Sequence, residues 1–305
     1  MSKELDAKLK TALDESRLLI LGAQVLFGFA FQAAFQELFA EVDSAGRTMQ
    51  ILALGLLSLS VALLIVPSLY HQIACRGRTL HKALGVATLF AGWSLLPLTL
   101  GLGASAYVVF ARFAGNETGW IFAGLLTATG LSLLYGLGFS LRKGRKALPP
   151  ESETSLTTKI EQLLTEARVI IPGGQALLGF QFVATLTKAF DNLPDEIKWL
   201  HAAALAAVGL SVLLLMTPAA LHRLAFHGED DPQFLEIGSR LIVAAAFPLA
   251  LGISADVAVV AYKITERSAL ALILASATAV VFLTVWYVYP LVARERRKPR
   301  TSHNL

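Results

Sequence analysis

Residues 15–29 read ESRLLILGAQVLFGF, and residues 166–180 read EARVIIPGGQALLGF. The two stretches share a glutamate, an arginine, a glutamine, two glycines and the final phenylalanine, and each of these residues recurs 151 positions later. The same offset relates Pro67 and His71 to Pro218 and His222, and Pro97 and Gly101 to Pro248 and Gly252. The correspondence runs from residue 15 to residue 252 without a gap, so we expect the chain to hold one structural unit twice.

The composition is too apolar for an ordinary soluble protein. The chain has 305 residues, of which 55% are hydrophobic and 16% are charged, whereas soluble domains carry about 25% charged residues. Its mean hydropathy is +0.62, and its apolar residues come in blocks long enough for a helix to cross a bilayer, which takes about 20 residues. No alternating strand pattern competes with these blocks. The predicted fold class is therefore all-α, a polytopic integral membrane protein.

Each copy contains four apolar blocks. In the first copy they cover residues 18–40, 50–70, 83–111 and 119–141, and in the second copy residues 169–190, 199–222, 237–262 and 268–292. We expect two four-helix repeats, over residues 1–148 and 149–305, with residues 149–165 forming a linker and a helix on the membrane surface. The alternative is that this helix and its counterpart at the N-terminus pack on the bundle as lead-ins to the first span of each repeat. Four is an even number of crossings, so both repeats insert in the same orientation. A pseudo-twofold axis along the membrane normal is then expected to relate them.

The basic residues divide unequally between the two ends of the predicted spans. The N-terminus, the loop at 76–82, the linker at 142–168 and the tail at 294–300 carry most of them, whereas the opposite loops carry few. The positive-inside rule predicts that both termini are cytoplasmic, and no folded soluble part remains to bind nucleic acid. The first apolar block is too long for a cleavable signal peptide. The single cysteine, Cys75, excludes an internal disulfide and a cysteine-based metal cluster.

The doubled motifs resemble those of a known family. Both copies contain Glu-x-Arg, then Gly-x-Gln-x-Leu-x-Gly-Phe, then Pro-x-x-x-His, which in this chain are Glu15, Arg17, Gly22, Gln24, Leu26, Gly28, Phe29, Pro67 and His71, and Glu166, Arg168, Gly173, Gln175, Leu177, Gly179, Phe180, Pro218 and His222. The pattern is similar to that of a bacterial family of four-helix membrane proteins, a domain of unknown function whose members often carry the name sodium:proton antiporter. The resemblance implies a multi-pass protein of the bacterial inner (plasma) membrane. Most members have one copy, and the second copy here departs from the first around residues 226–236.

The predicted first helix of each repeat carries one glutamine among glycines. Gln24 and Gln175 are flanked by glycines, which let two helices approach closely enough for an amide to bond across their interface. We therefore expect these helices to form the seam between the repeats. The glutamines either bond across this seam or line a polar pathway, which further residues would extend outward, namely Gln32, Gln36, Gln181, Thr185 and Thr187.

The third helix of each repeat carries a proline with a glycine one turn later. Pro97 with Gly101, and Pro248 with Gly252, are expected to kink these helices because proline removes a backbone hydrogen bond. Such kinks occur in inert bundles. They also free carbonyl groups that coordinate cations in the broken helices of transporters.

One aspartate falls within a predicted span. Asp256 follows Gly252 by one helical turn, and its counterpart in the first copy is Ser105. An aspartate in hydrocarbon costs roughly 2.5–3.5 kcal/mol on insertion scales, so it should face protein, a partner or water. Lys263, on the same helix face, is a candidate partner. We interpret Asp256 as a candidate for handling a proton or a cation, and the alternative is a wet residue near the outer surface.

Six titratable residues are predicted at the cytoplasmic ends of the spans, and they are His71, His222, Glu15, Glu166, Arg17 and Arg168. The histidines would relay protons, bind haem or metal, or cap helices among lipid headgroups. Each glutamate lies two residues from its arginine and cannot face it on one helix. We expect Glu15 to pair with His71 and Glu166 to pair with His222, or each to pair across the repeat boundary. These residues either form structural ion pairs at the membrane surface or gate a cytoplasmic entrance.

The sequence contains no nucleotide-binding loop, no zinc-protease spacing and no nucleophile motif, so no enzymatic activity, cofactor or metal is expected. We expect a small-ion or proton-linked transporter or channel with its pathway at the seam between the repeats. The alternative is a non-transporting scaffold or envelope sensor, and a haem-bearing redox protein is a distant third. The expected partners are the lipid bilayer, a small cation or proton, and further copies of the chain or a membrane complex.

Overall fold

The computed structural model describes residues 2–140 and 153–296. These residues form helices joined by short turns, without a strand among them, which confirms the all-α class. The predicted boundary between the repeats near residue 148, most of the linker and the basic tail from residue 297 lie outside the described residues.

The first segment contains four long helices. They are α1 (Ser2–Ala33), α2 (Ser44–Ile73), α3 (His81–Ala114) and α4 (Asn116–Leu131). A 3₁₀ turn at Glu37–Glu41 separates α1 from α2, and a π-helical turn at Ser132–Gly136 extends α4 into Leu137–Ser140. The Asp43 carboxylate caps α2 by accepting a hydrogen bond from the Gly46 N–H, and this satisfies one of the backbone donors at the helix start.

The second segment repeats this order of elements. Its helices are α5 (Leu156–Ala184), α6 (Asp195–Leu224), α7 (Pro232–Thr265) and α8 (Ser268–Leu283). A short helix at Lys188–Asp191 precedes α6, and a π-helical turn at Thr284–Val288 extends α8 into Tyr289–Glu295. With their extensions, eight helices of the described chain are long and apolar enough to cross a membrane. This number agrees with the eight apolar blocks of the sequence.

The surface helix expected ahead of the second repeat is the beginning of α5. No break separates residues 156–168 from the apolar part of this helix, because Ile160 and Leu163 continue its buried stripe. Leu163 packs against Gly238 of α7. Helix α1 begins in the same way, with Leu9 fully buried. Both lead-in segments therefore belong to the helical bundle and do not form separate helices.

Hydroxyl groups bond to the backbone beside the mid-helix prolines. In the turn before Pro97, Ser60 Oγ donates to the Ser94 carbonyl at 3.1 Å. The Tyr135 hydroxyl donates to the Gly92 carbonyl at 2.6 Å. The second repeat forms the equivalent bonds before Pro248, from Ser211 to the Ala245 carbonyl at 2.8 Å and from Tyr287 to the Val243 carbonyl at 2.7 Å. These bonds occupy carbonyls next to those of Trp93 and Ala244, which are the two that the prolines leave without their helical donor.

The glycines that follow these prolines allow close helix packing within each repeat. A Cβ atom at Gly101 would lie 3.0 Å from Leu57 of α2, and one at Gly252 would lie 3.1 Å from the Ala204 carbonyl of α6. Glycine thus lets the third helix of each repeat approach the second. Gly101 and Gly252 thus make contacts inside a repeat, whereas the sequence suggested that they line the pathway at the seam. Pro97 and Pro248 are buried within α3 and α7.

Helices α1 and α5 pack against each other at the boundary between the repeats. The Gln24 side chain lies against Gly173, where a Cβ atom would overlap its amide, and the Phe180 ring lies against Gly28 in the same manner. The rings of Phe29 and Phe180 are 4.8 Å apart. The first helices therefore form the seam, as the glycines of the repeated motif suggest.

Equivalent residues of the two repeats do not make equivalent contacts across this seam. Phe31 is buried and stacks on His201 of the second repeat, but its counterpart Phe182 is exposed. Likewise Gln24 is buried and Gln175 is exposed. A twofold axis would exchange such contacts between the repeats. The expected pseudo-twofold relation is therefore absent from these contacts, because each repeat uses a different face.

Candidate functional site

A buried network joins the two repeats near the predicted cytoplasmic end of the helices. Glu166 of α5 and His71 of α2 are both buried, and His71 Nδ1 lies 2.5 Å from one Glu166 oxygen. Gln72 Nε2 donates to the other Glu166 oxygen at 2.5 Å. The Ser239 hydroxyl of α7 donates to Gln72 Oε1 at 2.7 Å. These four residues, called here the inner cluster, connect α2 to both α5 and α7.

A second buried network lies further along α5, inside the second repeat. Asp256 of α7 is fully buried, and Gln181 Nε2 of α5 donates to its Oδ2 at 2.8 Å. His201 of α6 has its Nδ1 4.0 Å from Asp256 Oδ1 and its Nε2 3.1 Å from the Gln181 carbonyl oxygen. Asp256, Gln181 and His201 are called here the outer cluster. Lys263, the partner suggested by the sequence, forms no ion pair with Asp256 in the described part of the chain.

Three polar atoms of the outer cluster are buried and lack a hydrogen-bond partner among the described residues. They are Asp256 Oδ1, Gln181 Oε1 and His201 Nδ1. The ring of Phe31 stacks on His201 at 5.7 Å, and the ring of Phe190 meets it edge-on at 5.1 Å. Apolar rings thus enclose a carboxyl group and an imidazole that are close enough to share a proton through a small movement.

The first repeat contains a neutral version of this cluster. The residues equivalent to Gln181, His201 and Asp256 are Ala30, Gln50 and Ser105. Gln50 Nε2 donates to the Ala30 carbonyl at 2.5 Å, as His201 bonds to the equivalent carbonyl in the second repeat. Ser105 donates to the Gly101 carbonyl of its own helix. The fold of a repeat is thus compatible with neutral residues here, and the titratable pair is specific to the second repeat.

Gln24 lies between the two clusters. Its amide is buried against Gly173, and neither Nε2 nor Oε1 has a partner within the ranges that the structure describes. On α5, Gly173 lies seven residues after Glu166 and eight before Gln181, which is about 10 Å and 12 Å along a helix. The inner cluster, Gln24 and the outer cluster thus form a series of buried polar groups along one face of α5, called here the buried track.

The inner cluster borders a groove on the surface of the protein. This groove has a volume of about 790 Å³ and lies between α2, α7 and the extension of α8. Gln72 and Ser239 form part of its wall, together with Arg240, Arg294 and several apolar side chains. The polar network around Glu166 is therefore adjacent to an opening.

The other residues predicted at the inner mouth lie apart from this network. Those that are exposed are Glu15, Arg17, Arg168 and, higher on α5, Gln175. His222 is half-buried with its ring 4.8 Å from that of Phe234, and its Nε2 has no partner among the described residues. Of the pairings considered from the sequence, the structure contains the one across the repeat boundary, between Glu166 and His71. Glu166 does not reach His222, because it faces α2 of the other repeat.

His201, Gln72 and Ser239 were not predicted from the sequence, and Gln181 entered only as an extension of the polar helix face. A signal for the outer cluster was nevertheless present in the differences between the copies. The counterparts of Gln181, His201 and Asp256 in the first repeat are smaller or do not titrate. Shared motifs direct attention to the common fold, whereas these differences meet at one place. Gln72 and Ser239 also differ from their counterparts Arg223 and Thr88, but nothing in the sequence connects these differences to Glu166.

The two clusters offer few ligands for a metal or haem. Over residues 2–140 and 153–296, no group of three or more His, Cys, Asp or Glu side chains is placed to hold a metal ion. Each cluster combines one histidine, one carboxylate and at least one glutamine amide. Histidine and carboxylate groups bind and release protons, and the amides orient them.

Comparison with known proteins identifies a family. The sequence model described as a family of unknown function (DUF6328) matches residues 1–137 and, separately, residues 151–290. No curated protein and no solved structure matches the chain. The two matched segments coincide with the two four-helix segments of the structure, so one repeat corresponds to one family unit.

Proposed function

Because the chain belongs to the family of unknown function DUF6328 and carries its unit twice, we propose from its geometry that it is a proton-linked membrane transporter. The observation that carries this proposal is the buried track, in which two clusters, each with a histidine and a carboxylate, lie about 22 Å apart along α5. Ionisable residues inside a membrane are rare and most often mark proton or ion pathways. The pathway follows the seam between the repeats.

The two repeats insert in the same orientation, with both termini in the cytoplasm. The even number of spans and the basic residues at one end of the bundle support this arrangement. A rotation about the membrane normal relates the repeats, and the one-sided seam favours a rotation other than a half-turn. The inner cluster then lies near the cytoplasmic surface and the outer cluster near the opposite surface.

The outer cluster costs more free energy than packing requires. Burial of an aspartate in hydrocarbon costs roughly 2.5–3.5 kcal/mol on insertion scales, whereas the first repeat packs with Gln50 and Ser105 at the equivalent positions. Neutral residues would therefore serve a purely structural role. The presence of Asp256 and His201 instead supports a role in holding a proton.

Proton movement along the track requires a change of conformation. A proton enters from the groove beside Gln72 and is held between Glu166 and His71. Ile170 and Leu177 are buried between the polar groups of α5, and hydrogen bonds do not span the gap of about 10 Å. Water must therefore reach Gln24 in an open form of the seam, after which the proton passes to the outer cluster.

Flux into proteoliposomes tests the proposal. The purified protein is reconstituted with an internal pH-sensitive dye, and a membrane potential or a gradient of Na⁺, K⁺ or Li⁺ is imposed. The Asp256→Asn variant should lose the proton flux, because an amide neither gains nor loses a proton at this position. The Ser105→Ala variant changes the equivalent position of the first repeat and should keep the flux of the unchanged protein.

The dependence on gradients identifies the kind of transport. Proton flux driven by one cation gradient would indicate a coupled transporter, and flux driven by potential alone would indicate a channel. If folded and monodisperse protein showed no proton flux under any gradient, transport would be contradicted and a scaffold or sensor would be favoured.

A further inference from the structure

The contact between the repeats uses a different surface on each of them. On the first repeat this surface, called here face A, includes Gln24, Phe31, Ala62, His71 and Gln72. On the second repeat the contacting surface, face B, includes Glu166, Gly173, Phe180, Ser239 and Trp286. The Trp286 indole, for example, donates to the Ala62 carbonyl at 2.8 Å. Face A therefore fits face B within one chain.

The second repeat also carries the residues equivalent to face A. These residues are Gln175, Phe182, Leu213, His222 and Arg223, and all are exposed except the half-buried His222. Gln175 presents an amide on an otherwise apolar surface at the depth where Gln24 is buried in the seam. An amide at this depth gains from a protein partner because lipid tails offer it no hydrogen bond.

The first repeat likewise carries the residues equivalent to face B. These residues are Glu15, Gly22, Phe29, Thr88 and Leu134, the last after allowing for one extra residue in the loop before α8. All five are exposed, although the Phe29 ring also contacts Phe180 within the chain. A Cβ atom at Gly22 would meet no heavy atom within 4 Å. The chain thus buries one A–B pair and exposes a second A and a second B.

We propose that the exposed face A of one copy binds the exposed face B of a second copy of this chain. The contact between repeats within the chain then recurs between chains. Glu15 of one copy meets His222 and Arg223 of the next, in the positions where Glu166 meets His71 and Gln72 within the chain. The opposite charges of Glu15 and Arg223 favour this partner over the lipid that would otherwise cover both faces.

The same correspondence places the Gln175 amide over Gly22 of the next copy, as Gln24 lies over Gly173 within the chain. Since face A and face B are different surfaces, the contact is heterologous, and repetition of it closes a ring of chains when the rotation allows. In the resulting complex first and second repeats alternate, and its formation does not depend on proton transport.

Disulfide cross-linking between copies tests the contact directly. In a Cys75→Ala background, Leu213→Cys and Leu134→Cys chains with different tags are co-expressed and oxidised in membranes. Leu213 and Leu134 correspond to Ala62 and Trp286, which touch within the chain. A dimer carrying both tags should form, at a yield more than about tenfold above that of Leu272→Cys with Leu134→Cys. Leu272 is a matched control because it is 68% exposed, compared with 65% for Leu213.

A charge exchange tests the predicted ion pair independently. Glu15→Arg and Arg223→Glu should each weaken association of the solubilised chains more than about tenfold, because like charges then face each other. The double variant should restore the mass of the complex measured by native mass spectrometry. Both side chains are exposed in the single chain, so neither change alters its fold.

Two results would overturn the proposal. One is a single-chain mass for the unchanged protein in lipid nanodiscs, together with cross-linking no greater than for Leu272→Cys. The other is a stable complex whose mass is indifferent to Glu15→Arg and Arg223→Glu, since that complex would use another surface.

Discussion

At position 201 the second repeat carries a histidine where the first carries Gln50, yet both side chains bond to the equivalent backbone carbonyl. His201→Gln should therefore keep this bond and the thermal stability of the purified protein. It should abolish proton flux in the dye assay, because glutamine does not titrate. Gln50→His is the matched control and should leave the flux unchanged, since Ser105 and not an aspartate stands near it in the equivalent place. If His201→Gln moved protons as fast as the unchanged protein, His201 would not take part in the pathway.

Individual residues show how far sequence reasoning extends. The sequence singled out Asp256, His71 and Glu166 because ionisable groups at or within apolar spans need partners. It did not distinguish Glu166 from Glu15, since both copies have the same local motif. Burial of Glu166 and exposure of Glu15 depend on which helix faces meet, and this is a property of the packed bundle.

Among the helices, α1 and α5 cross where Gly28 and Gly173 allow a close approach, and Gly173 has the tighter contact. A Cβ atom at Gly173 would overlap the Gln24 amide, so Gly173→Ala should separate the helices and destabilise the protein by about 1–3 kcal/mol, as overpacking does. Gly55→Ala, where the added atom meets no heavy atom within 4 Å, should change the stability by less than about 0.5 kcal/mol. Thermal unfolding of both variants in detergent measures the difference. Equal stabilities would show that this crossing does not hold the seam.

Helix existence was predictable, and helix continuity was not. Eight apolar blocks are long enough to span a bilayer, and eight helices result. The charged lead-ins carry a narrow apolar stripe among polar residues, which fits a helix on the membrane surface as well as one that packs on the bundle. Packing of that stripe, as Leu163 on Gly238, fuses each lead-in to its span. Ser and Tyr hydroxyls of neighbouring helices likewise bond to backbone carbonyls in the turns before the prolines, which local sequence does not reveal.

The whole molecule is predicted to have both repeats in one orientation. In a Cys75→Ala background, Glu117→Cys and Asn192→Cys should react with a membrane-impermeant maleimide on intact spheroplasts. Arg78→Cys and Glu229→Cys should react only after lysis, because Arg78 lies in a basic loop that is predicted to be cytoplasmic and Glu229 lies in the equivalent loop of the second repeat. All four positions are exposed in the structure, so access is set by the membrane. Labelling of Glu117→Cys and Arg78→Cys from the same side would contradict the predicted topology.

The duplication predicted two similar halves, and the one-sided seam is the feature that it did not predict. Equal sequence motifs suggest a twofold arrangement, but the burial of Phe31 and exposure of Phe182 show different surroundings for equivalent residues. Small differences such as Ala30 against Gln181 and Gln50 against His201 place the polar cluster in one repeat only. The outer cluster is therefore asymmetric in sequence, whereas the inner cluster uses Glu166 and His71, which have identical counterparts in different surroundings.

Proton flux through the unchanged protein and through Asp256→Asn, measured side by side in proteoliposomes, tests the central claim most directly. A membrane potential is applied in one set of vesicles and a Na⁺ gradient in another, so that a channel responds to the first and a coupled transporter to the second. We expect the unchanged protein to move protons well above protein-free vesicles and Asp256→Asn to match those vesicles while eluting as folded protein. Equal flux through both proteins, or no flux through the unchanged protein, would contradict a proton pathway along the buried track.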